Sequence, residues 1–417
     1  MNYLELIVIN LFKYNRMEEK LKAFYGLPEE VKYCKECVIS NQRPNSTVEM
    51  RNKNVKKETI QFSSDGVCSA CAHNAVKHSI DWDARQDELF KLLEPYRSKD
   101  GSYDVLVPSS GGKDSAFTAH VLKYKYKMNP LCITWAPNIF TRAGWNNFNN
   151  LTRIGGVDSI LYTPNGKIHK YLTRLAFKNL GHPFQPFIHG QKVIGPKMAK
   201  KFGIKLIMYG ENQAEYGNPL EDNKSPFMKP DFFSIEDPLD MLFGGKSVRE
   251  IIDSTDFEFA DFAPYIPPTP KEINDANIKV SYLGFFERWD PQECFYYAVD
   301  NTGFEPAYER SIGTYSRYTE IDDKIVPFHF YMLYIKFGIG RATYDAAQEV
   351  RNGKITRSEA VNLVTKFDGE LPEKYLEEFC SYVDISKNEF IEIVDSFRSP
   401  HLWNFENGKW ILRHRVS

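Results

Sequence analysis

The sequence predicts an α/β protein with a parallel sheet, a cysteine-rich appendage on its N-terminal side and a mainly helical C-terminal region. Three observations lead to this prediction. Two Cys-x-x-Cys pairs fall within residues 34–71, apolar runs alternate with helical patterns over residues 103–209, and capped helices follow from residue 290. The predicted segments are an N-terminal extension (1–32), a cysteine module (33–80), an α/β domain (81–217), an irregular segment (218–280) and a mainly helical region (281–417).

The cysteine pairs of the module predict a structural zinc site. Cys34 and Cys37 form the first pair, and Cys68 and Cys71 form the second. A Cys-x-x-Cys turn aims two thiolates at one ion, and two such turns complete a tetrahedral site. Because four sulfurs leave no open coordination position, the ion is expected to hold the module together. A redox or iron–sulfur role is the alternative, and His73 lies close enough in sequence to replace a ligand.

Residues 103–115, YDVLVPSSGGKDS, are the centre of the α/β domain. The apolar run Val105–Val107 ends in a glycine turn, and the apolar spacing over 116–126 predicts a helix. This order directs backbone N–H groups and a helix N-terminus at an anion, so the turn is predicted to bind phosphate. It is not a Walker loop, because Val107 and Asp114 occupy the places of that loop's first glycine and its Ser or Thr.

The flanking sequence predicts further strands at 131–135, 159–162 and 204–209, with helices at 81–98, 145–154, 167–180 and 190–202. Parallel sheets built this way bind ligands beyond the carboxyl ends of their strands. The loops 109–115, 136–144 and 210–217 are therefore expected to meet. Glu211 and Asn212 directly follow a strand, where they are predicted to hold a metal ion or a substrate group. For Glu215 a solvated turn is an equal alternative.

Residues 218–280 carry eight prolines and no clear periodicity, which predicts a lid or a partner-binding segment. Beyond it, Asp290 is predicted to cap a helix that begins at Pro291, and Thr356 and Ser386 are predicted to begin capping boxes.

A glycine hinge lies between those helices, in KFGIGRAT (336–343). Lys336 and Arg341 flank the hinge, and both are predicted to close on a pyrophosphate group. An ordinary surface position is the alternative for each of these cations.

Composition excludes several classes of protein. The net charge is −2 and 26% of residues are charged, so no basic footprint of a nucleic-acid-binding protein is present. Seven cysteines, an odd number, argue against a disulfide framework. The apolar stretch at 3–12 is too short to span a bilayer and has no basic segment before it, which predicts a cytoplasmic protein. Met17 is an alternative start.

The segment SGGKDS (110–115) resembles the PP-loop signature SGGxDS of enzymes that split ATP between its α- and β-phosphates. With CKECVIS, YGENQAEYG, SYLGFFERW, KFGIGRAT and EVRNGKITRSEA, the chain from about Tyr33 onward resembles the N-acetyl sugar amidotransferase family of PP-loop enzymes. The resemblance implies an adenine nucleotide α-hydrolase-like fold. It also implies an ATP-dependent enzyme of lipopolysaccharide (O-antigen) or flagellin-glycan biosynthesis, which converts an N-acetyl group of a surface-sugar precursor into an acetamidino group.

The implied reaction passes through an activated amide. The amide oxygen attacks the α-phosphate of ATP, pyrophosphate leaves, and ammonia displaces AMP from the resulting imidate. The protein's part is to position the reactants and to neutralise charge. The resemblance implies that Asp114 binds Mg²⁺ with Glu211 as helper, and that Lys113 neutralises phosphate charge.

The implied residues form two sets. The ATP-binding set is Pro108, Ser109, Ser110, Gly111, Gly112, Lys113, Asp114, Ser115, Thr134, Trp135, Gly210, Glu211 and Asn212. The catalytic set is Asp114, Lys113, Glu211, Lys336 and Arg341.

The sequence lacks a cysteine suited to glutamine hydrolysis, because position 2 is Asn and the other cysteines lack a nucleophile-elbow context. The expected partners are therefore a separate glutaminase and a cyclase-like subunit resembling imidazole glycerol phosphate synthase, which supply and conduct ammonia. The sugar is not identified: acetamido uronic acids linked to a nucleotide and nonulosonic acids such as pseudaminic or legionaminic acid all fit. No nucleic acid or membrane partner is expected.

Two other functions stay open at this point. One is a PP-loop tRNA-modifying enzyme of the lysidine or thiolation type, which would need a basic RNA-facing surface. The other is a zinc-ribbon interaction protein with a vestigial nucleotide loop.

Overall fold

The computed structural model describes residues 21–45, 51, 56–217 and 224–417. Most of the predicted N-terminal extension lies outside these ranges, as does part of the predicted cysteine module.

The strands and helices of the described residues follow in chain order. The strands are β1 (Val105–Pro108), β2 (Pro130–Trp135), β3 (Asp158–Tyr162), β4 (Leu206–Tyr209), β5 (Leu242–Phe243), β6 (Lys246–Ser247), β7 (Lys279–Tyr282), β8 (Trp403–Glu406) and β9 (Lys409–Leu412). The helices are α1 (Ser69–Lys77), α2 (Trp82–Leu93), α3 (Lys113–Tyr124), α4 (Arg142–Arg153), α5 (Gly166–Leu180), α6 (Gln185–Phe202), α7 (Val248–Asp253), α8 (Pro270–Asp275), α9 (Pro291–Thr302), α10 (Val326–Phe337), α11 (Arg341–Arg351), α12 (Arg357–Phe367), α13 (Glu373–Val383) and α14 (Lys387–Ser396).

Five strands form a parallel sheet in the order β3-β2-β1-β4-β7. The chain moves outward from β1 to β2 and β3, then returns to the other side of β1 for β4. The point between β1 and β4 is thus a topological switch point, where sheets of this kind bind ligands beyond the strand ends. The parallel sheet expected from the sequence is confirmed, together with a cysteine cluster near the N-terminus and a helical C-terminal region.

The central strand β1 is buried on both faces, which explains why its sequence is continuously apolar. Val105 and Val107 point to the side covered by α3 and α9, where they join a core with Leu206 and Trp289. Leu106 points to the opposite side, which is covered by α6. Alternate side chains of one short strand therefore serve two cores.

The second core continues from the sheet into the C-terminal region and the cysteine module. Phe328 of α10 stacks on Phe379 of α13 with ring centroids 4.1 Å apart, and Phe177 of α5 meets Phe379 edge-on at 5.1 Å. The C-terminal helices are therefore packed onto the helical layer that covers the sheet.

The strands and helices predicted for residues 81–209 match observed elements, whereas β5, β6, β7, β8 and β9 and the helices α1, α7 and α8 were not predicted. The sheet includes β7, which follows the proline-rich segment and pairs with β4 over residues 279–282. Within the proline-rich segment, Phe233 and Phe262 are buried, so its described part packs against the rest of the protein.

The predicted caps are present, with one difference. Asp290 accepts from the N–H groups of Gln292 and Glu293, and Thr356 forms its box with Glu359. Ser386 accepts from the Glu389 N–H, but the Glu389 carboxylate pairs with Lys178. In the part of the chain that the structure describes, no helix is long and apolar enough to cross a membrane.

Candidate active site

Two adjoining cavities of about 440 and 400 Å³ open at the switch point, beyond the carboxyl ends of β1 and β4. We call them the first and the second cavity. Their shared wall consists of Ser110, Gly112, Asp114, Glu211, Glu320, Asp322, His329 and Phe330. The wall joins the predicted glycine turn, the loop after β4, and a segment of the C-terminal region, so three distant parts of the chain form one site.

Both cavities have mixed walls, but the first has more aromatic rings and the second has more polar side chains. Aromatic and apolar side chains complete the first, from Phe184, Phe187, Tyr209, Met228, Phe232, Phe233 and Tyr282. The second cavity adds Arg43, Gly111, Lys113, Asn147, Tyr216, Tyr318, Arg341, Tyr344 and Gln348. One cavity therefore suits a flat aromatic ligand and the other a ligand with many polar groups.

The glycine turn is held by its own serine side chains. Ser109 donates to the Ser115 hydroxyl at 3.0 Å and accepts from the Gly111 N–H at 3.2 Å, while Ser110 accepts from the Gly112 N–H at 3.3 Å. Gly111 has φ +82°, and a Cβ there would lie 2.7 Å from the Phe148 backbone. Because α3 begins at Lys113, its N-terminus points at both cavities.

The shared wall brings four carboxyl groups together, those of Asp114, Glu211, Glu320 and Asp322. Burial and the Asp114 charge raise the pKa of Glu211 to about 7. Burial and the charges of Glu320 and Asp323 raise the pKa of Asp322 to about 7. Acidic groups that crowd each other in a water-poor site favour a bound cation, and carboxylate oxygens are the ligands that Mg²⁺ prefers.

Asp114 has one engaged and one unengaged oxygen. Its Oδ2 lies 2.5 Å from the Lys113 Nζ, whereas its Oδ1 is buried and has no hydrogen-bond partner among the described residues. Buried polar atoms are nearly always paired, so an unpaired carboxylate oxygen facing a cavity is a fitting position for a metal ligand. The donor set at this wall therefore fits a magnesium ion.

Lys113 is only 7% exposed and faces two acids. Burial by itself lowers the pKa of its ammonium group, but the charges of Asp114 and Glu211 outweigh that effect and raise the pKa above its ordinary value. Lys113 therefore stays cationic in the second cavity.

Arg341 is the first residue of α11 and reaches the second cavity. Its two terminal nitrogens contact Glu320 at 3.1 Å and Asp345 at 2.8 Å, and its guanidinium lies over the Phe330 ring. As the sequence predicts, Gly338 ends α10 and Gly340 precedes α11.

Most predicted ATP-site residues meet at these cavities. Cavity walls include Pro108, Ser110, Gly111, Gly112, Lys113, Asp114, Ser115, Gly210, Glu211 and Arg341. Ser109 and Asn212 lie behind the wall, where Ser109 braces the turn and Asn212 accepts from the Ala214 N–H at 3.1 Å.

Three further predicted residues do not line the cavities. Lys336 is 6% exposed, donates from Nζ to the Leu180 carbonyl at 2.5 Å and is surrounded by the rings of Tyr25, Phe337 and Phe397. This placement corrects the prediction that Lys336 closes on pyrophosphate, because its ammonium group points into the core. Thr134 and Trp135 also stay inside, and Trp135 packs against Tyr162 and Tyr265.

The four predicted zinc ligands form a buried cluster. The sulfur atoms of Cys34, Cys37, Cys68 and Cys71 all lie within 4.8 Å of one another, and the Cys34–Cys71 and Cys37–Cys68 pairs are 3.8 Å apart. Metal–sulfur bonds of about 2.3 Å set tetrahedral sulfur–sulfur edges of about 3.8 Å. The donor set and its size therefore fit a zinc ion.

The cysteine module is bound to the active-site loop 210–217. Ser69 of α1 donates to the Gly217 carbonyl at 2.9 Å, and Lys77 pairs with Glu215 at 2.8 Å. Arg351, at the far end of α11, donates to the Glu215 carbonyl at 3.0 Å and lies 4.0 Å from the Cys37 sulfur. Glu215 is thus a structural residue of this junction rather than part of the cavity walls.

Several wall residues were not predicted, among them the charged residues Arg43, Glu320 and Asp322. Glu320 and Asp322 come from the run YTEIDD, whose alternating acids lie between aperiodic polar residues and α10. The spacing of these acids is the sequence pattern that could have predicted the acidic part of the cavity wall. Arg43 has no comparable signal, because nothing in the local sequence shows that the cysteine module reaches the sheet edge.

One comparison with known proteins concerns the C-terminal region. Residues 312–416 match a family described as "LPS biosynthesis protein WbpG-like, C-terminal domain". An uncharacterized protein of Methanocaldococcus jannaschii is 27% identical over 105 residues, which are 25% of this chain and 38% of that protein. The chain thus aligns with well under two thirds of this relative. The domain match associates the region that carries α10, α11 and Arg341 with lipopolysaccharide biosynthesis.

Proposed function

We propose that this chain is an ATP-dependent N-acetyl sugar amidotransferase of bacterial surface-polysaccharide biosynthesis. The main observation in support is the position of SGGKDS at the switch point, where a helix N-terminus, Lys113 and the unpaired Asp114 oxygen face two joined cavities. The lipopolysaccharide-biosynthesis match of residues 312–416 supports the pathway.

In this proposal the two cavities divide the substrates between them. The adenosine of ATP occupies the first cavity, whose Phe184, Phe187 and Phe233 offer ring surfaces to the base. The N-acetyl sugar occupies the more polar second cavity. The phosphates lie over the glycine turn at the shared wall, so the α-phosphate and the acetamido oxygen meet there.

The proposed first step joins the acetamido oxygen to the α-phosphorus and breaks the bond to the bridging oxygen, so that pyrophosphate leaves. The N-terminus of α3 faces the departing phosphates, while the N–H groups of Gly111 and Gly112 brace the turn by donating to Ser109 and Ser110. Lys113 and Arg341 offset the charge of the phosphates. Asp114, with Glu211, would hold Mg²⁺, which neutralises phosphate oxygens when bound.

The proposed second step is attack of ammonia on the imidate carbon, followed by loss of AMP. The carbon gains a C–N bond and loses the C–O bond to the adenylyl group, and the proton released from nitrogen needs an acceptor. A carboxylate with a pKa near 7 suits that role, and Asp322, which is not assigned to the metal, has one.

Ammonia is proposed to come from a separate glutaminase through a cyclase-like subunit. Burial raises the pKa of Cys132 to about 12, and burial also raises those of Cys294 and Cys380. These thiols are poor nucleophiles at neutral pH. Ammonium salts are therefore expected to support turnover, and purified chain that uses glutamine unaided would contradict this part of the proposal.

The test is the nucleotide product formed from ATP, ammonium and candidate N-acetyl sugars. We expect AMP and pyrophosphate, and we expect Asp114→Ala to lower AMP formation by at least about 100-fold because it removes both the metal ligand and the partner of Lys113. Asp87→Ala, an exposed acid on α2, is the matched control and should leave turnover unchanged.

Two results would contradict the proposal. One is formation of ADP instead of AMP; the other is near-normal turnover by the Asp114 variant at wild-type zinc content and stability. Tight tRNA binding with a steep salt dependence would favour a tRNA-modifying enzyme instead.

A further inference from the structure

Arg43 of the cysteine module lies in the wall of the second cavity although it is distant in sequence from every other residue of that wall. Its backbone is fixed, since its carbonyl accepts from the Ile60 N–H at 2.8 Å and the next residue, Pro44, bridges to Thr59. The residue is only 5% exposed. The module thus holds one cationic side chain at a defined place in the site.

The guanidinium of Arg43 has no anionic partner among the described residues. Its Nη1 is buried without a hydrogen-bond partner, and its contact with an aromatic ring is with Tyr344, 5.6 Å away. The other two cations of this wall are paired: Lys113 with Asp114, and Arg341 with Glu320 and Asp345. Arginine cannot lose its charge in a protein, and a buried unpaired charge is costly. The missing anion is therefore expected to arrive with a ligand.

The surroundings of Arg43 indicate that its expected anionic partner lies apart from the glycine turn, which is proposed to bind phosphate. Arg43 does not line the first cavity. It lines the second cavity together with a small void on the side of the cysteine module, which Tyr216, Tyr344 and Gln348 also border. The amide of Gln348 and the hydroxyls of the tyrosines are groups that bind sugar hydroxyls. These neighbours suit a polar acceptor better than a nucleotide tail.

We propose that Arg43 binds an oxyanion carried by the acceptor sugar, either a carboxylate or the phosphate that links the sugar to a nucleotide. The inference rests on the proposed function for the identity of the acceptor, and it assigns the cysteine module a part in substrate selection. A planar guanidinium fork fits either oxyanion in a two-bonded arrangement.

The experiment measures binding rather than turnover. The full-length, zinc-loaded chain is saturated with α,β-methylene-ATP and Mg²⁺, then titrated calorimetrically with D-glucuronate, with UDP and with neutral D-glucose. We expect at least one anionic probe to bind roughly tenfold more weakly to Arg43→Gln than to the wild type, because a hydrogen bond to a charged group contributes about 1.5–3 kcal/mol. Glucose should not distinguish the two proteins.

Two further variants separate the role of the planar guanidinium group from the role of its positive charge and from any effect on folding. Arg43→Lys keeps the charge but not the fork and should bind the probe with intermediate affinity. Lys35→Gln removes the same charge from an exposed position of the same module and should match the wild type. Zinc content and melting temperature identify any variant that is misfolded. If Arg43→Gln is misfolded, the affinity of Arg43→Lys for the probe is compared with that of the wild type instead.

Distinct results overturn the inference. If neither anionic probe distinguishes Arg43→Gln and Arg43→Lys from the wild type, Arg43 does not bind the acceptor. If the variant instead loses affinity for α,β-methylene-ATP alone, the anion belongs to ATP. Preference for glucuronate over UDP, or the reverse, identifies the source of the oxyanion. Failure of the proposed function would appear separately, as absent AMP formation with the Arg43-dependent binding intact.

Discussion

At the scale of single residues, the carboxyl group of Glu211 makes the stability of the protein depend on pH. Its pKa is about 7 in the folded chain because it is buried beside Asp114, and it returns to about 4.5 on unfolding. Between these values the folded state binds more protons than the unfolded state. Stability therefore falls as the pH rises from about 4.5 to 7, and the full penalty is present above pH 7.

Glu211→Gln removes this titrating group. We expect the variant to be about as stable as the wild type near pH 5 and more stable by about 1–3 kcal/mol at pH 8, where the wild-type carboxylate is charged. Thermal or urea unfolding without metal at both pH values measures the difference. Mg²⁺ should reduce it at pH 8 by stabilising the charged wild type. A difference that is constant with pH would contradict the role of burial.

Gly111 is a residue where the backbone itself limits substitution. Its φ of +82° disfavours a side chain, and a Cβ would lie 2.7 Å from the backbone of Phe148. We expect Gly111→Ala to displace the turn and lower AMP formation by about 100-fold. Gly101→Ala is the control, because Gly101 has φ +84° but no atom within 4 Å of the added Cβ. Equal losses in both variants would show that backbone strain, not the contact, matters.

Residue positions differed in how far the sequence predicted them. The glycine turn was predictable because a positive φ and a close backbone approach select glycine locally. The direction of Lys336 was not, because α10 reads VPFHFYMLYIKF and is apolar on nearly every face. The sequence of such a helix has no distinct apolar face that marks its buried side. The direction of its one lysine therefore depends on the neighbouring helices.

At the scale of elements, α11 connects the cavity to the cysteine cluster. Arg341 begins the helix in the second cavity, and Arg351 ends it 4.0 Å from the Cys37 sulfur and bonded to Glu215. Ten residue steps at about 1.5 Å give a strut of roughly 15 Å between the two ends. The position of Arg341 thus depends in part on a junction that a metal ion bound by the four cysteines would hold.

Removal of the metal should therefore loosen two parts of the site. We expect a single zinc ion per chain, and after chelation we expect faster amide exchange in 210–217 and in α11 but little change in β2. Elemental analysis and hydrogen-exchange mass spectrometry measure these quantities. Cys71→Ser should reproduce the effect, and Cys380→Ser, outside the cluster, is the control. Unchanged exchange in 210–217 after complete zinc loss would contradict the coupling.

The parallel strands were largely predictable, because β1, β2 and β4 are short apolar runs followed by turns and helices. The missed strand β7 has four residues, follows a proline-rich segment and begins with a lysine. Its place at the edge of the sheet beside β4 depends on long-range pairing, which local pattern does not reveal. The fold class was therefore within reach of the sequence, and the complete sheet was not.

At the scale of the whole molecule, the cysteine module, one face of the sheet and the C-terminal helices share a continuous core. The C-terminal region also supplies Phe330 and Arg341 to the cavities, and Arg357 donates to the backbone carbonyls of Cys34 and Cys37. The segments that look separable in the sequence are thus mutually dependent in the structure.

A chain that ends at residue 311 tests this dependence. It lacks α10–α14 and exposes apolar side chains that the full protein buries, so we expect poor solubility and no cooperative thermal unfolding. We also expect substoichiometric zinc, because Arg351 and Arg357 are gone. Sedimentation, calorimetry and elemental analysis check these outcomes. A soluble fragment that melts cooperatively with full zinc would show that the C-terminal region is an independent addition.

The wall of the second cavity contains Arg43, the glycine turn and Arg341. This arrangement has a consequence for biosynthesis of the protein. Its three contributors are translated far apart in time, and the last of them lies in the final fifth of the chain. A nascent polypeptide still emerging from the ribosome cannot present the assembled pocket. A ligand that needs all three contributors therefore cannot guide early folding, and it can stabilise only chains whose synthesis is nearly finished.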